Sequence, residues 1–190
     1  CCELQKHSIA SNLLPIFIVA IFALSYLLVG AWAVLGLVVR SCLLLVSFNE
    51  AVNMWRLPSG RPWFFKGIWM SLWCIVIGHA LPIFFPSHVI MWNHVMYIPG
   101  FLQLCLMIGA RVVCAHAQRL ERIEKDRFGV IGIIALLFIS VLSRVAVDWA
   151  PATRVLHLLL AALFAIIALA LWFMCYGRFL FIDKKEVKHV

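Results

Sequence analysis

His79, His94 and His157 each stand inside a stretch otherwise built almost wholly of apolar and aromatic residues. A neutral imidazole carries a lone pair that ligates iron or copper, and it leaves the backbone hydrogen bonds of its own segment intact. Ionisable groups in hydrocarbon cost on the order of 2.5 to 3.5 kcal/mol even on insertion-based scales, so each marks a candidate functional position. Arg40 and Arg144 meet the same criterion. Arg144 has Asp148 one helical turn away, and that pair is the simplest way to make it tolerable. Arg40 has no partner in sequence, which leaves a cofactor carboxylate or a carboxylate from elsewhere in the fold.

The elements that must position these residues follow from composition. Of the 190 residues 65% are hydrophobic and only 13% are charged, which no water-exposed globular surface accommodates. The pattern predicts an all-α fold, a polytopic transmembrane helix bundle of about six spans. The spans fall over 13–29, 31–52, 63–85, 88–114, 128–147 and 152–180, each near the 20 residues that cross a hydrocarbon core of about 30 Å. One helix through the first pair would be too long for the membrane, so the chain turns near Gly30. Residues 1–190 form a single transmembrane domain with no room for a separate soluble one. Beginning at Cys1 rather than Met, the chain reads as a processed form or a piece of something longer.

Charge tests this division. With an even number of spans, every Lys and Arg except Arg40, Arg144 and Arg154 falls on one side, which the positive-inside rule makes cytoplasmic, together with both termini. The net charge of +8 is thereby accounted for by topology and anionic lipid headgroups, and nucleic acid is not needed as a partner. The alternating run Arg119 to Arg127 reads as a solvated helical extension. The tryptophans near span ends read as interfacial anchors, and the cysteines as buried small hydrophobes without a disulfide framework.

Within this frame the histidines share a depth. His79 lies six residues before the end of the third span, His94 six residues after the start of the fourth, and His157 five residues into the sixth. At 1.5 Å per residue all are about 8 to 9 Å below the outer helix ends. The expectation is that His79, His94 and His157, in some combination, ligate a metal or haem there. Unrelated histidines bonded to neighbouring carbonyls are the alternative. His116 is about 33 Å beyond His94 along the axis and cannot share its centre. On an unbroken helix it falls on nearly the same face as His94 and Cys105. With Arg111 and Arg119 beside it, His116 marks a cytoplasmic-side position suited to an anion such as a haem propionate, the alternative being arginines that snorkel at a helix end. No phosphate-binding Gly-rich loop, zinc-protease helix, Cys-x-x-Cys pair or nucleophile elbow occurs, and no catalytic residue is assigned.

The succession His94, Arg111-Val112, His116 and Arg119, then Leu142-Ser143-Arg144-Val145, then Leu171-Trp172 and Tyr176-Gly177-Arg178-Phe179-Leu180, resembles the C-terminal half of the NnrS family. The loop Trp55 to Arg61 and the Trp-rich start of the third span fit that half as well. The resemblance implies a bacterial inner-membrane protein with b-type haem and copper, linked to nitric-oxide tolerance and nitrosative stress. It also implies a cofactor role for His94, His116, Arg111, Arg119 and Arg144. The family's Gly-His-Ser/Thr-Gly-Arg turn reads Ala115-His116-Ala117-Gln118-Arg119 here, without either glycine. Its early histidine of span three is replaced by Leu72 and Trp73, and its Trp-His-Ala-His-Glu motif is absent. Partners would then be the lipid bilayer and an N-terminal half or second membrane subunit. Two other readings are a b-type electron carrier with bis-histidine haem, and a cofactor-free structural half that packs through small residues.

Overall fold

A computed structural model describes residues 15–181; Cys1 and, among the cysteines and lysines counted above, Cys2, Lys6, Lys184, Lys185 and Lys188 lie outside the described residues. The fold is all-α. Helices α1 (Pro15–Leu27), α2 (Ala33–Val52), α3 (Trp63–Phe84), α4 (Val89–Val95), α5 (Gln103–His116), α6 (Leu120–Lys125), α7 (Arg127–Trp149) and α8 (Arg154–Cys175) follow one another without a strand among the described residues. A π-helical segment, Met96–Leu102, joins α4 to α5, so Pro86 to His116 reads as one long interrupted rod. Five of these rods are long and apolar enough to cross a membrane; α1 is shorter over the residues described.

Local chemistry sets the breaks. Gly30 has φ +62° with open space about it, and the chain reverses there between α1 and α2. Pro86 and Pro151 each open a 3-10 turn, where a missing N–H costs nothing, and these turns define one end of the bundle. By the charge asymmetry that end is expected to be the outer one, and it is termed the outer end on that ground. At the other end Asp126 caps α7, its Oδ1 accepting from Gly129 N at 2.9 Å, while its Oδ2 accepts from the Tyr176 hydroxyl at 3.0 Å. This carboxylate ties the start of α7 to the end of α8.

The core lies among α3, α5 and α7, where Phe64, Met107, Ile133 and Leu137 are fully buried. Helix α3 meets the π segment closely: a Cβ on Gly78 would lie 2.6 Å from Met96 Cβ, and one on Gly100 would lie 2.8 Å from Ile75 Cγ1. Small residues permit such approach where no hydrophobic drive separates helices from lipid. Gly67 O accepts Ser71 Oγ from its own helix and Gln103 Nε2 from the start of α5, each at 2.9 Å. Helices α2 and α8, by contrast, present most of their apolar side chains outward.

Candidate functional site at the outer end

Three cross-helix contacts set the depth of the histidines. Gly78 abuts Met96, so its neighbour His79 lies level with the residues just before Met96, among them His94. Arg144 Nε donates to His94 Nε2 at 3.2 Å. Ser143 Oγ donates to His157 O at 3.0 Å and lies 3.4 Å from His157 Nδ1. His79, His94 and His157 therefore occupy one layer of the bundle.

They do not face one centre. His79 turns toward α1, with its ring 6.1 Å from that of Phe22. His94 faces α7 through Arg144, and His157 lies across α7 on the Ser143 side. Among the described residues no group of three or more His, Cys, Asp or Glu is placed to hold a metal ion. Depth follows from position along each helix, whereas facing depends on how the helices pack.

Both His79 and His94 are nonetheless oriented alike. His79 Nδ1 lies 3.1 Å from Ile75 O and His94 Nδ1 lies 2.6 Å from Ile90 O. A carbonyl only accepts, so each Nδ1 carries the proton and each Nε2 presents its lone pair. On His94 that lone pair accepts Arg144 Nε; on His79 it meets no hydrogen-bond donor among the described residues.

The arginines find partners that sequence spacing did not suggest. Arg144 does not pair with Asp148. That carboxylate lies 3.6 Å from His88 Nδ1, and the His88 ring stacks on Trp149 at 5.9 Å. Arg40 is satisfied without a carboxylate: Nε donates to Gly36 O at 3.0 Å and the guanidinium lies 4.1 Å over the Tyr26 ring. Arg144, His88, Asp148 and Arg154 together line an outer cleft of about 600 Å³.

At the inner end His116, Arg111 and Arg119 are all exposed and do not share one cavity. Arg111 lies over Phe64 and Phe65 at 5.2 and 5.5 Å. Arg119 instead lines a cleft of about 450 Å³ with Arg122, Lys125 and Arg178. In that cleft Lys125 Nζ donates to Glu121 at 2.8 Å, which holds the carboxyl below its ordinary pKa and the ammonium above its own. The face that His94 was expected to share with Cys105 and His116 is broken by the π segment. Each added residue in its wider turns rotates all that follows by about 100° relative to an α-helix.

The Ala115-to-Arg119 turn forms without glycine. Gln118 adopts φ +56°, Arg119 N donates to Cys114 O at 2.8 Å and Gln118 N to Ala115 O at 3.0 Å, a Schellman closure. Those N–H groups are spent on the helix, so the turn does not offer them to an anion. Two of the cysteines expected to be buried, Cys42 and Cys105, are exposed on outward helix faces.

Comparison of the chain with protein-family models, with curated proteins and with solved structures finds no match to any of them.

Proposed function

We propose that this membrane-embedded helical protein is a haem-associated component of a bacterial nitric-oxide response, NnrS-like, with copper as the second metal it would handle. The observation that supports the reading is the free Nε2 of His79: an Nδ1–H held on the carbonyl one turn back is also what an unrelated histidine would show, and His94 shares it, but the His79 Nε2 has no hydrogen-bond donor among the described residues. Metal-ligating histidines are held in this way by their outer hydrogen bond, which fixes tautomer and ring orientation.

The residues fit a group held by one imidazole rather than a metal held by three. His79 is the better placed ligand, because its Nε2 is not already engaged. His94 would ligate only if Arg144 Nε let go of the same lone pair, and the released guanidinium would then be free for a propionate. Haem bound through a single histidine would supply an open iron position at which nitric oxide binds. The protein's part is to fix the imidazole, exclude water with the apolar helices around it, and neutralise carboxylates with arginine. The outward faces of α2 and α8 would meet lipid and the partner half or subunit.

The test is an optical spectrum, with metal analysis, of the chain purified in mild detergent, oxidised and reduced, before and after nitric oxide. A haem band that shifts with the gas is expected, weakened strongly in His79→Ala. Protein that purifies without haem or copper, and takes up neither on reconstitution, overturns the reading and leaves a packing role.

A further inference from the structure

The outer cleft holds more positive charge than its own residues neutralise. Arg144 spends Nε on His94, and its Nη1 is enclosed by protein without a hydrogen-bond partner among the described residues. Arg154, at the first turn of α8, lines the same cleft. The ion pairs among the described residues are His88 with Asp148 and Glu121 with Lys125, so neither guanidinium is paired with a carboxylate. Asp148, the carboxylate within the cleft, is one helical turn from Arg144 yet is turned to His88.

Arg144 and Arg154 put two guanidiniums on the cleft against one carboxylate that is turned to His88, and the planar guanidinium fork matches oxygen anions; the Arg144 Nη1, closed off by protein here, would be reached only as that side chain turns toward the cleft. The cleft, at about 600 Å³, has room for one. It opens at the helix ends, the level at which lipid phosphates lie. We propose that this cleft is a phosphate-binding site, in which Arg144 grips from the bundle side and Arg154 from the mouth. The phosphate would be either free or carried by a lipid headgroup. The site shares Arg144 with the haem reading only where that arginine lets go of His94, and its test requires no haem.

Inorganic phosphate is the first probe, applied to the delipidated full chain in neutral detergent with ionic strength held by chloride. Equilibrium dialysis should show saturable binding, weakened tenfold or more by Arg154→Gln and also weakened by Arg144→Lys, which keeps the charge but loses the fork. Arg178→Gln, at the other end of the molecule, should leave it unchanged. The Arg154 side chain makes no hydrogen bond to the described residues, so its variant should unfold at the parent temperature, and the same scan checks this.

A second arm reconstitutes the chain in nanodiscs of phosphatidylcholine with a minor fraction of phosphatidylglycerol. Native mass spectrometry then reads which lipid stays bound. Phosphatidylglycerol retained by the parent and lost in Arg154→Gln identifies a headgroup as the source. Phosphate binding without lipid retention identifies the free anion. Absence of both, or equal binding in the parent, Arg154→Gln and Arg144→Lys, overturns the site.

Discussion

Gln118 shows how a single backbone angle can be carried by an unsuited residue. Its φ of +56° lies in the left-handed region, where a Cβ is crowded by the following carbonyl, and only the two closing hydrogen bonds of the turn hold it there. Gln118→Gly should therefore raise stability by about 1 kcal/mol, read as a higher unfolding midpoint in detergent, while Gln118→Val lowers it. The position also shows what residue type can and cannot reveal. A helix end after His116 is signalled by the polar, charged run that follows it, but a left-handed glutamine carries no mark in sequence. Arg40 is a similar case. Its depth in the second span was plain from the pattern, but Tyr26, the ring beneath it, belongs to another helix and is brought there by the Gly30 reversal.

The long rod from Pro86 to His116 takes its character from the π segment between its ends. Met96–Leu102 packs against α3 where Gly78 and Gly100 remove side chains from the contact, so the two backbones approach closely. At Gly78 an added Cβ would meet Met96 N at 2.9 Å and Met96 Cα at 3.0 Å, atoms that cannot swing aside. Gly78→Ala should cost about 1 to 3 kcal/mol by overpacking. Gly109→Ala is the comparison, because its Cβ would touch only Trp172 at 3.5 Å, an ordinary contact. Replacing a helical glycine there should be neutral or stabilising by up to about 1 kcal/mol. Thermal unfolding of both variants checks the pair; equal losses would mean that the close approach is not what Gly78 provides.

The whole bundle is organised by charge at its ends and by apolar surface along its sides. Basic residues at the Arg119 end include Arg56, Arg61, Arg122, Arg127 and Arg178, while the Pro86 end has Arg144 and Arg154. The expected orientation places the first group in the cytoplasm. A fluorescent-protein fusion at the C-terminus should then fluoresce and an alkaline phosphatase fusion there should be inactive, with the reverse pattern for reporters inserted at Ser87. The opposite result would invert the topology and put the outer cleft on the cytoplasmic side.

Composition and hydropathy alone determined that the chain is all-α, where its apolar rods lie, and how deep each histidine sits. These are properties of position along a helix, and the 1.5 Å rise converts sequence number directly into depth. The turns at Gly30, Pro86 and Pro151 were legible for the same local reason. Which way each side chain faces was decided only by packing. His79 and His94 share a level but look toward different helices, because the angle between them depends on how α3 and the π-broken rod are rotated about their own axes. Arg144 bonds to His94 rather than Asp148, and Asp148 to His88. Spacing along one helix cannot rank a neighbour one turn away against a partner on another helix, since that competition is settled by distances that exist only once the bundle has formed.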